Sequence, residues 1–309
     1  MQYQKPALSL TDQALQLKQR GLIINDCQRV EHYLNYIGYY RFSAYCLTYE
    51  IPPGTGQPRS HQFQPGTTFE QVLGLYIFDR KLRLLVMEAI ERYEVAVRTG
   101  WAHAMSMRHG PHAHMQSNLF KNPWHHTQDL ARVANEIEKS HETFIEHYRH
   151  QYNEPFLPPI WAIVETMSLG TLSRWFANTH QTDAKKAVSQ SLGMPNIEVL
   201  EQVLHALTPV RNACAHHSRL WNRRFPIQLP AIRKYKTSLV APNSPHHQSH
   251  YLYNYLTILA LAMQKINPNG SWASRVGTLI NSELPLVQHA AMGFPADWAN
   301  RPAWKVGQP

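Results

Sequence analysis

Between Glu201 and Glu283 the chain has no acidic residue, although nine basic ones fall in that span: Arg211, Arg219, Arg223, Arg224, Arg233, Lys234, Lys236, Lys265 and Arg275. The protein carries 30 Lys+Arg against 21 Asp+Glu, a net charge of +9, so the whole surplus lies in this stretch and the remainder is neutral. Charge segregated in this way points to an anionic partner. Cysteine is scarce as well. Cys27, Cys46 and Cys214 form an odd, widely spaced set with no CxxC, which supports neither a disulfide framework nor a cysteine zinc site. The longest strongly apolar run, around residues 256–263, is far short of the roughly 20 residues that cross a bilayer. The opening MQYQKPALSL has no apolar signal-peptide core. These absences lead us to expect a soluble, cytoplasmic protein without a membrane partner.

Strand signals are also missing, with neither convincing period-two alternation nor an Asn-Gly hairpin. A hydrophobic content of 43% with 11% aromatics is enough for the core of one or two domains. Helical patterns cover residues 9–20 and a segment capped by Asp26, followed by a Pro/Gly-rich loop over residues 50–68. Thr68 and Gln71 make a capping box that opens a pattern running to Arg108, stopped by Gly110-Pro111. That pattern is either one long spine or two helices broken near Gly100. Further helices are expected over residues 128–151, 159–168, 172–178, 183–192 and 197–207. Thr208 as N-cap and Pro209 as first residue predict a separate helix to about Trp221, with later helices near residues 251–265 and 272–280. The fold class is all-α: a helical bundle with a long central helix over residues 1–240, and a C-terminal helical extension, residues 241–309, packed on the same domain.

The stretch RNACAHHSRLWNR, residues 211–223, carries the most chemistry. On a helix, Asn212 and His216 are four apart and His216 and Arg219 three apart, so they share a face. Arg211 can swing its long side chain toward the same edge. An imidazole can take or return a proton near neutral pH, and guanidiniums bind phosphate bidentately, so the set suits a phosphodiester. The acid-free surroundings leave no local carboxylate to neutralise the arginines. Equally, Asn212 can be an ordinary polar neighbour on a solvated face. A second Rx4H spacing, Arg98 to His103, invites a composite site with the first, although Glu91 and Glu94 offer Arg98 simple helical ion-pair partners. The histidine cluster from His109 to His114 with His125 and His126 lacks a cysteine or carboxylate to complete a metal shell, and reads as a flexible, partly exposed loop. The tyrosine-rich run from Tyr33 to Tyr49 offers base stacking or, more commonly, core packing.

Several blocks in order carry a resemblance: KPALSLTDQALQLKQRGLII, YLNYIGYYRFSAYCLTYE, IFDRKLRLLVMEAIERYEVAVRT, FIEHYRHQY, LPPIWAIVETMSLGTLSRWF, RNACAHHSRLWNR and the later MGFPADW. Over most of residues 5–224 the chain resembles the Abi_2 family of bacterial abortive-infection proteins, and its Rx4H pattern is similar to the active-site signature of HEPN-domain ribonucleases. The resemblance implies a HEPN-like helical fold and a role in defence against phage, through a metal-independent endoribonuclease that needs no cofactor. The substrate's 2′-hydroxyl would attack the adjacent phosphate to leave a cyclic phosphate. His216 would be the acid/base, Arg211 would polarise the phosphate and Asn212 would orient either, with Arg98 and His103 as further candidates. Arg219, Arg223, Arg224, Arg233, Lys234 and Lys236 would hold the RNA. It further implies a homodimer, and a small non-coding RNA as regulator in the manner of an antitoxin. The rival reading is a non-catalytic RNA-binding protein that sequesters such an RNA, and a third is a scaffold that docks an acidic protein.

Overall fold

The computed structural model describes residues 2, 4, 6–180, 182–283 and 289–305. Among these the regular elements are all helical, with three isolated bridges and no strand, so the all-α expectation holds. The chain forms two compact units, residues 1–81 and 82–309. The described part of the expected extension, residues 241–309, falls in the same unit as residues 82–240, while residues 1–81 stand as a unit of their own.

The first unit contains α1 (Leu10–Gln19), α2 (Cys27–Ile37), α3 (Tyr39–Cys46) and the start of α4 (Phe69–His109). Ser9 and Asp26 cap α1 and α2 by accepting the N–H groups of Asp12 and Arg29. The capping box forms at α4: Gln71 N–H donates to Thr68 Oγ1 at 3.2 Å and Thr68 N–H to Gln71 Oε1 at 2.8 Å. Gly38, at φ +80°, turns the chain from α2 into α3 in a conformation that only glycine adopts without cost. The tyrosine-rich run divides by residue. Phe42 and Tyr45 are buried, and Tyr45 donates its hydroxyl to Asp79 at 2.7 Å, whereas Tyr36 and Tyr40 are exposed.

The second unit continues along α4 and adds α5 (Pro123–Lys139), α6 (Thr143–Gln151), α7 (Ile160–Thr166), α8 (Leu169–Asn178), α9 (Asp183–Ser191), α10 (Ile197–Ala215), α11 (Leu252–Ile266) and α12 (Trp272–Glu283). Every residue from Leu252 to Ala260 is buried, as expected of a helix that is apolar all round. Helix α12 is tied to α4: Trp272 Nε1 donates to Leu85 O at 2.7 Å, and Arg275 pairs with Glu88 at 2.5 Å.

One open alternative is settled and three expectations need correction. The long pattern is one unbroken α4, the single spine of the two arrangements expected. Gly100 does not interrupt it but admits α9, because a Cβ there would lie 3.2 Å from Val188 Cγ1. Residues 128–151 are two helices, parted where Ser140 leaves helical geometry at ψ 133°. No helix starts at Pro209. Instead α10 begins after Asn196, whose side chain accepts the N–H of Val199, and runs through Pro209 to Ala215, while Thr208 donates its hydroxyl back to Leu204 O. An interior proline costs about 3 kcal/mol. The buried stripe of Leu200, Val203, Leu204, Leu207 and Val210 continues past it to Ala213 and Cys214, and each large apolar side chain returns roughly 1.5–3 kcal/mol. The stripe therefore outweighs the proline.

The histidine cluster is the third correction. His114 and His126 are buried, the His126 ring stacks on Phe120 with centroids 4.1 Å apart, and His126 Nε2 lies 2.7 Å from His114 O. Among the described residues no group of three His, Cys, Asp or Glu could hold a metal ion. Neither ring nitrogen of His114 has a hydrogen-bond partner. Burial, with lesser contributions from His112 and His126, pushes its pKa down from 6.5 to about 3. The unfolded chain takes this proton as pH falls below 6.5, whereas the folded one stays neutral until about 3. Stability is therefore present above pH 6.5 and is lost on acidification through that window, at about 1.4 kcal/mol per pH unit. We expect His114→Phe to flatten the acid limb of a stability curve measured by urea denaturation from pH 4 to 7; parallel limbs for the two proteins would refute this.

Candidate functional site

The two Rx4H arginines meet on one carboxylate. Glu94 sits one turn before Arg98 on α4, and Arg98 Nη2 binds both Glu94 Oε1 and the carbonyl of Met167, at the α7–α8 junction. Arg98 Nη1 also lies 3.7 Å from Glu165 Oε2. From α10, Arg211 brings Nε to 3.7 Å from Glu94 Oε2. Glu94 is only 7% exposed, Arg98 14% and Arg211 27%. Arg98 is thus largely used within the fold, while part of the Arg211 side chain reaches solvent. Both Nε atoms are buried without a hydrogen-bond partner. Burial raises the pKa of Glu94, opposed first by Arg98 and then by Arg211.

This geometry corrects the inference that the acid-free stretch leaves its arginines unneutralised. Segregation along the chain is not segregation in space: α4 carries Glu94 to Arg211 and Glu88 to Arg275. Of the remaining site residues, Asn212 and His216 are exposed, and their helical relation holds, His216 N–H donating to Asn212 O at 3.0 Å as α10 ends. Arg219 does not share that face. His217 and Asn222 adopt left-handed φ values of 54° and 49°, so the chain leaves the helix, and buried Leu220, Trp221 and Phe225 pin it as irregular structure. His103 is exposed near the middle of the last turns of α4. Arg223 and Arg224 are exposed. Arg233, Lys234 and Lys236 stand elsewhere, on and beside a 3-10 turn held to Gly193 by Lys234 Nζ at 3.2 Å and by the Tyr235 hydroxyl.

Glu94 was visible in the sequence only as the helical partner of Arg98. Its second contact joins segments far apart in the chain, which no local spacing announces. The arrangement recurs. Asp129 Oδ1 accepts from Arg132 Nη1 at 2.9 Å and Arg174 Nε at 3.1 Å. Glu201 Oε1 accepts from Lys121 Nζ at 3.2 Å and Lys185 Nζ at 2.7 Å. Glu88 Oε1 lies 3.3 Å from Arg92 and 2.5 Å from Arg275. Each carboxylate binds one cation near it in the chain or fold and one from another segment.

The chain matches the Abi_2 family, described as Abi-like protein, over residues 32–222. That is more than half of it and includes Glu94 and both Rx4H motifs. It belongs to this family, and so to the abortive-infection class. No curated protein and no solved structure matches it. Among the described residues no helix is long and apolar enough to cross a membrane.

Removing one partner of a buried ion cluster strands the others, at a cost of about 3–5 kcal/mol. Glu94→Ala is expected to lower unfolding free energy by about 3 kcal/mol or more. His216→Ala, at an exposed helix end, should change it by less than about 0.5 kcal/mol. Urea denaturation of the two variants measures both; similar losses would contradict the placement of Glu94 as the shared partner.

Proposed function

We propose that this abortive-infection protein is a metal-independent endoribonuclease of HEPN type, cutting RNA in the cytoplasm of an infected bacterium. The observation that carries the reading is the convergence of Arg98 and Arg211 on Glu94, which fixes the partly exposed Arg211 next to the helix end bearing exposed Asn212 and His216. A phosphate oxygen is the acceptor that guanidinium donors suit best. In the proposed reaction His216 removes the proton from a 2′-hydroxyl. The 2′-oxygen bonds to phosphorus, the bond from phosphorus to the 5′-oxygen breaks, and a proton is returned to the departing oxygen. The products are a 2′,3′-cyclic phosphate and a 5′-hydroxyl. Arg211 stabilises the charge that builds on the phosphate, Asn212 orients the imidazole or the phosphate, and Arg98 holds Glu94 in place for Arg211. The chemistry uses the substrate's own nucleophile and needs no metal. Both arginines belong to one chain, so one protomer supplies the paired motifs, and a homodimer would present two such pairs.

The second reading, RNA sequestration without cleavage, draws on the engagement of Arg98 by Glu94, the Met167 carbonyl and Glu165, which leaves one arginine rather than two for phosphate. Incubation of end-labelled RNA with the protein in EDTA separates the readings. Cleavage to cyclic-phosphate ends is expected, falling at least 100-fold in His216→Ala and in Arg211→Ala. Salt-sensitive retention of RNA that survives His216→Ala, with no products from wild type, would establish the second reading. His103→Ala is expected to slow cleavage if the second motif's imidazole takes part; an unchanged rate removes it from the site.

A further inference from the structure

Away from the Glu94 cluster, two open clefts of about 490 and 400 Å³ share Arg174 and Ala177 as lining residues. Together they form one groove along α5, α8 and α10. Arg132 and Arg174 are 58% and 48% exposed, yet each is fixed by a single nitrogen on the buried Asp129. The rest of both guanidiniums is presented to the groove in a preset orientation. Further along, Lys121 bonds both the Ala177 carbonyl and Glu201, and Lys185 bonds Glu201. Asp129 is thus matched by two arginines that line the groove, and Glu201 by two lysines behind it, which leaves the exposed guanidiniums as the groove's charge although it lies outside the acid-free stretch.

The exposed face of α10 that lines the groove extends toward the candidate site. On α10 the exposed residues Gln202, His205, Asn212 and His216, with half-buried Pro209 between them, follow one another by three or four positions, so they form a single stripe. His205 lies about 16 Å before His216 along the axis. Helix α8 runs antiparallel beside it. Gly170 packs against Thr208, with a Cβ there only 3.2 Å from Thr208 Cγ2, while Arg174 and Ala177 line the same cleft as Gln202 and His205. The α8–α10 seam thus leads from the Met167 carbonyl and Arg98 to the two preset guanidiniums.

We propose that this groove holds the phosphodiester backbone of a single-stranded RNA along the path to His216, with Arg132 and Arg174 as its phosphate contacts. Its open ends and length suit a strand better than an enclosed small ligand. Its amide and imidazole side chains, among them Gln128, Asn178 and Gln228, supply hydrogen bonds that tolerate many sequences. The proposal rests on the ribonuclease reading for the purpose of the strand, but the binding is tested separately from cleavage.

The probe is a fluorescent 12-nucleotide single-stranded RNA, titrated by anisotropy against the full chain in the His216→Ala background, over a range of salt. Arg132→Ala with Arg174→Ala is expected to weaken binding at least tenfold and to make the slope of log affinity against log salt shallower by about 0.7 for each phosphate no longer neutralised. That pair strips Asp129 of its cations and can unfold the chain. Gln202→Glu with His205→Glu therefore serves as the second variant: it places two negative charges in the groove without touching Asp129, and is expected to weaken binding by a similar factor with an unchanged melting temperature. Binding equal to the parent in a folded groove variant overturns the proposal. So does groove-dependent binding of ATP or of poly-glutamate without groove-dependent binding of RNA. Groove-dependent RNA binding with no cleavage by wild type sinks the ribonuclease reading and leaves the groove standing; cleavage untouched by both groove variants does the reverse.

Discussion

A carboxylate taken out of water is unstable unless cations take the place of its hydration, and this protein meets that requirement at Glu94 and Asp129 by sharing the carboxylate between two arginines. Glu94 is the case on which the site depends. Buried in α4, it takes Arg98 from its own helix and Arg211 from α10, so the helix that ends in His216 is registered electrostatically against the helix that ends in His109. The Met167 carbonyl adds the start of α8 to the same cluster. Three helices are thereby referred to one carboxyl group. The candidate acid/base is free to stay exposed because its position is set by neighbours rather than by its own contacts.

The same stoichiometry at Asp129, Glu201 and Glu88 has an electrostatic result that pairwise accounting hides. One carboxylate with two cations keeps one positive charge, and that charge is held on a fixed frame instead of a mobile side chain. Fixed charges cost less entropy to engage than free ones. The cationic character of the second unit is therefore distributed over these clusters. It is not confined to the acid-free stretch, whose own residues are partly matched by acids from α4.

The helical class, the capping box at Thr68, the long α4 and the Rx4H pattern at Arg211 were legible from residues alone, because caps and periodicity are local. The N-terminus of α10 was not. Thr208-Pro209 is a sound local start signal, and it was overridden by a buried stripe that spans the proline, a tertiary effect. The helical relation of His216 to Arg219 failed because α10 ends at Ala215 and the chain turns through left-handed His217 and Asn222, so that Leu220, Trp221 and Phe225 are buried from irregular structure that no local spacing announces. The role of Glu94 was half legible, since the i,i+4 partner shows in sequence and the partner from α10 does not.

The unbroken course of α4 through Gly100 limits how this protein can change length. Along a continuous helix one inserted or deleted residue turns everything beyond it by 100°. Between Glu88 and Arg98 such a change would swing Arg275's partner away from Arg211's partner, or Glu94 away from Arg98. The spacing of these residues is thus held by the arithmetic of the helical turn. The exposed Pro/Gly-rich stretch over residues 52–58, which carries no such phase, is where the chain can grow or shrink without turning any residue of α4.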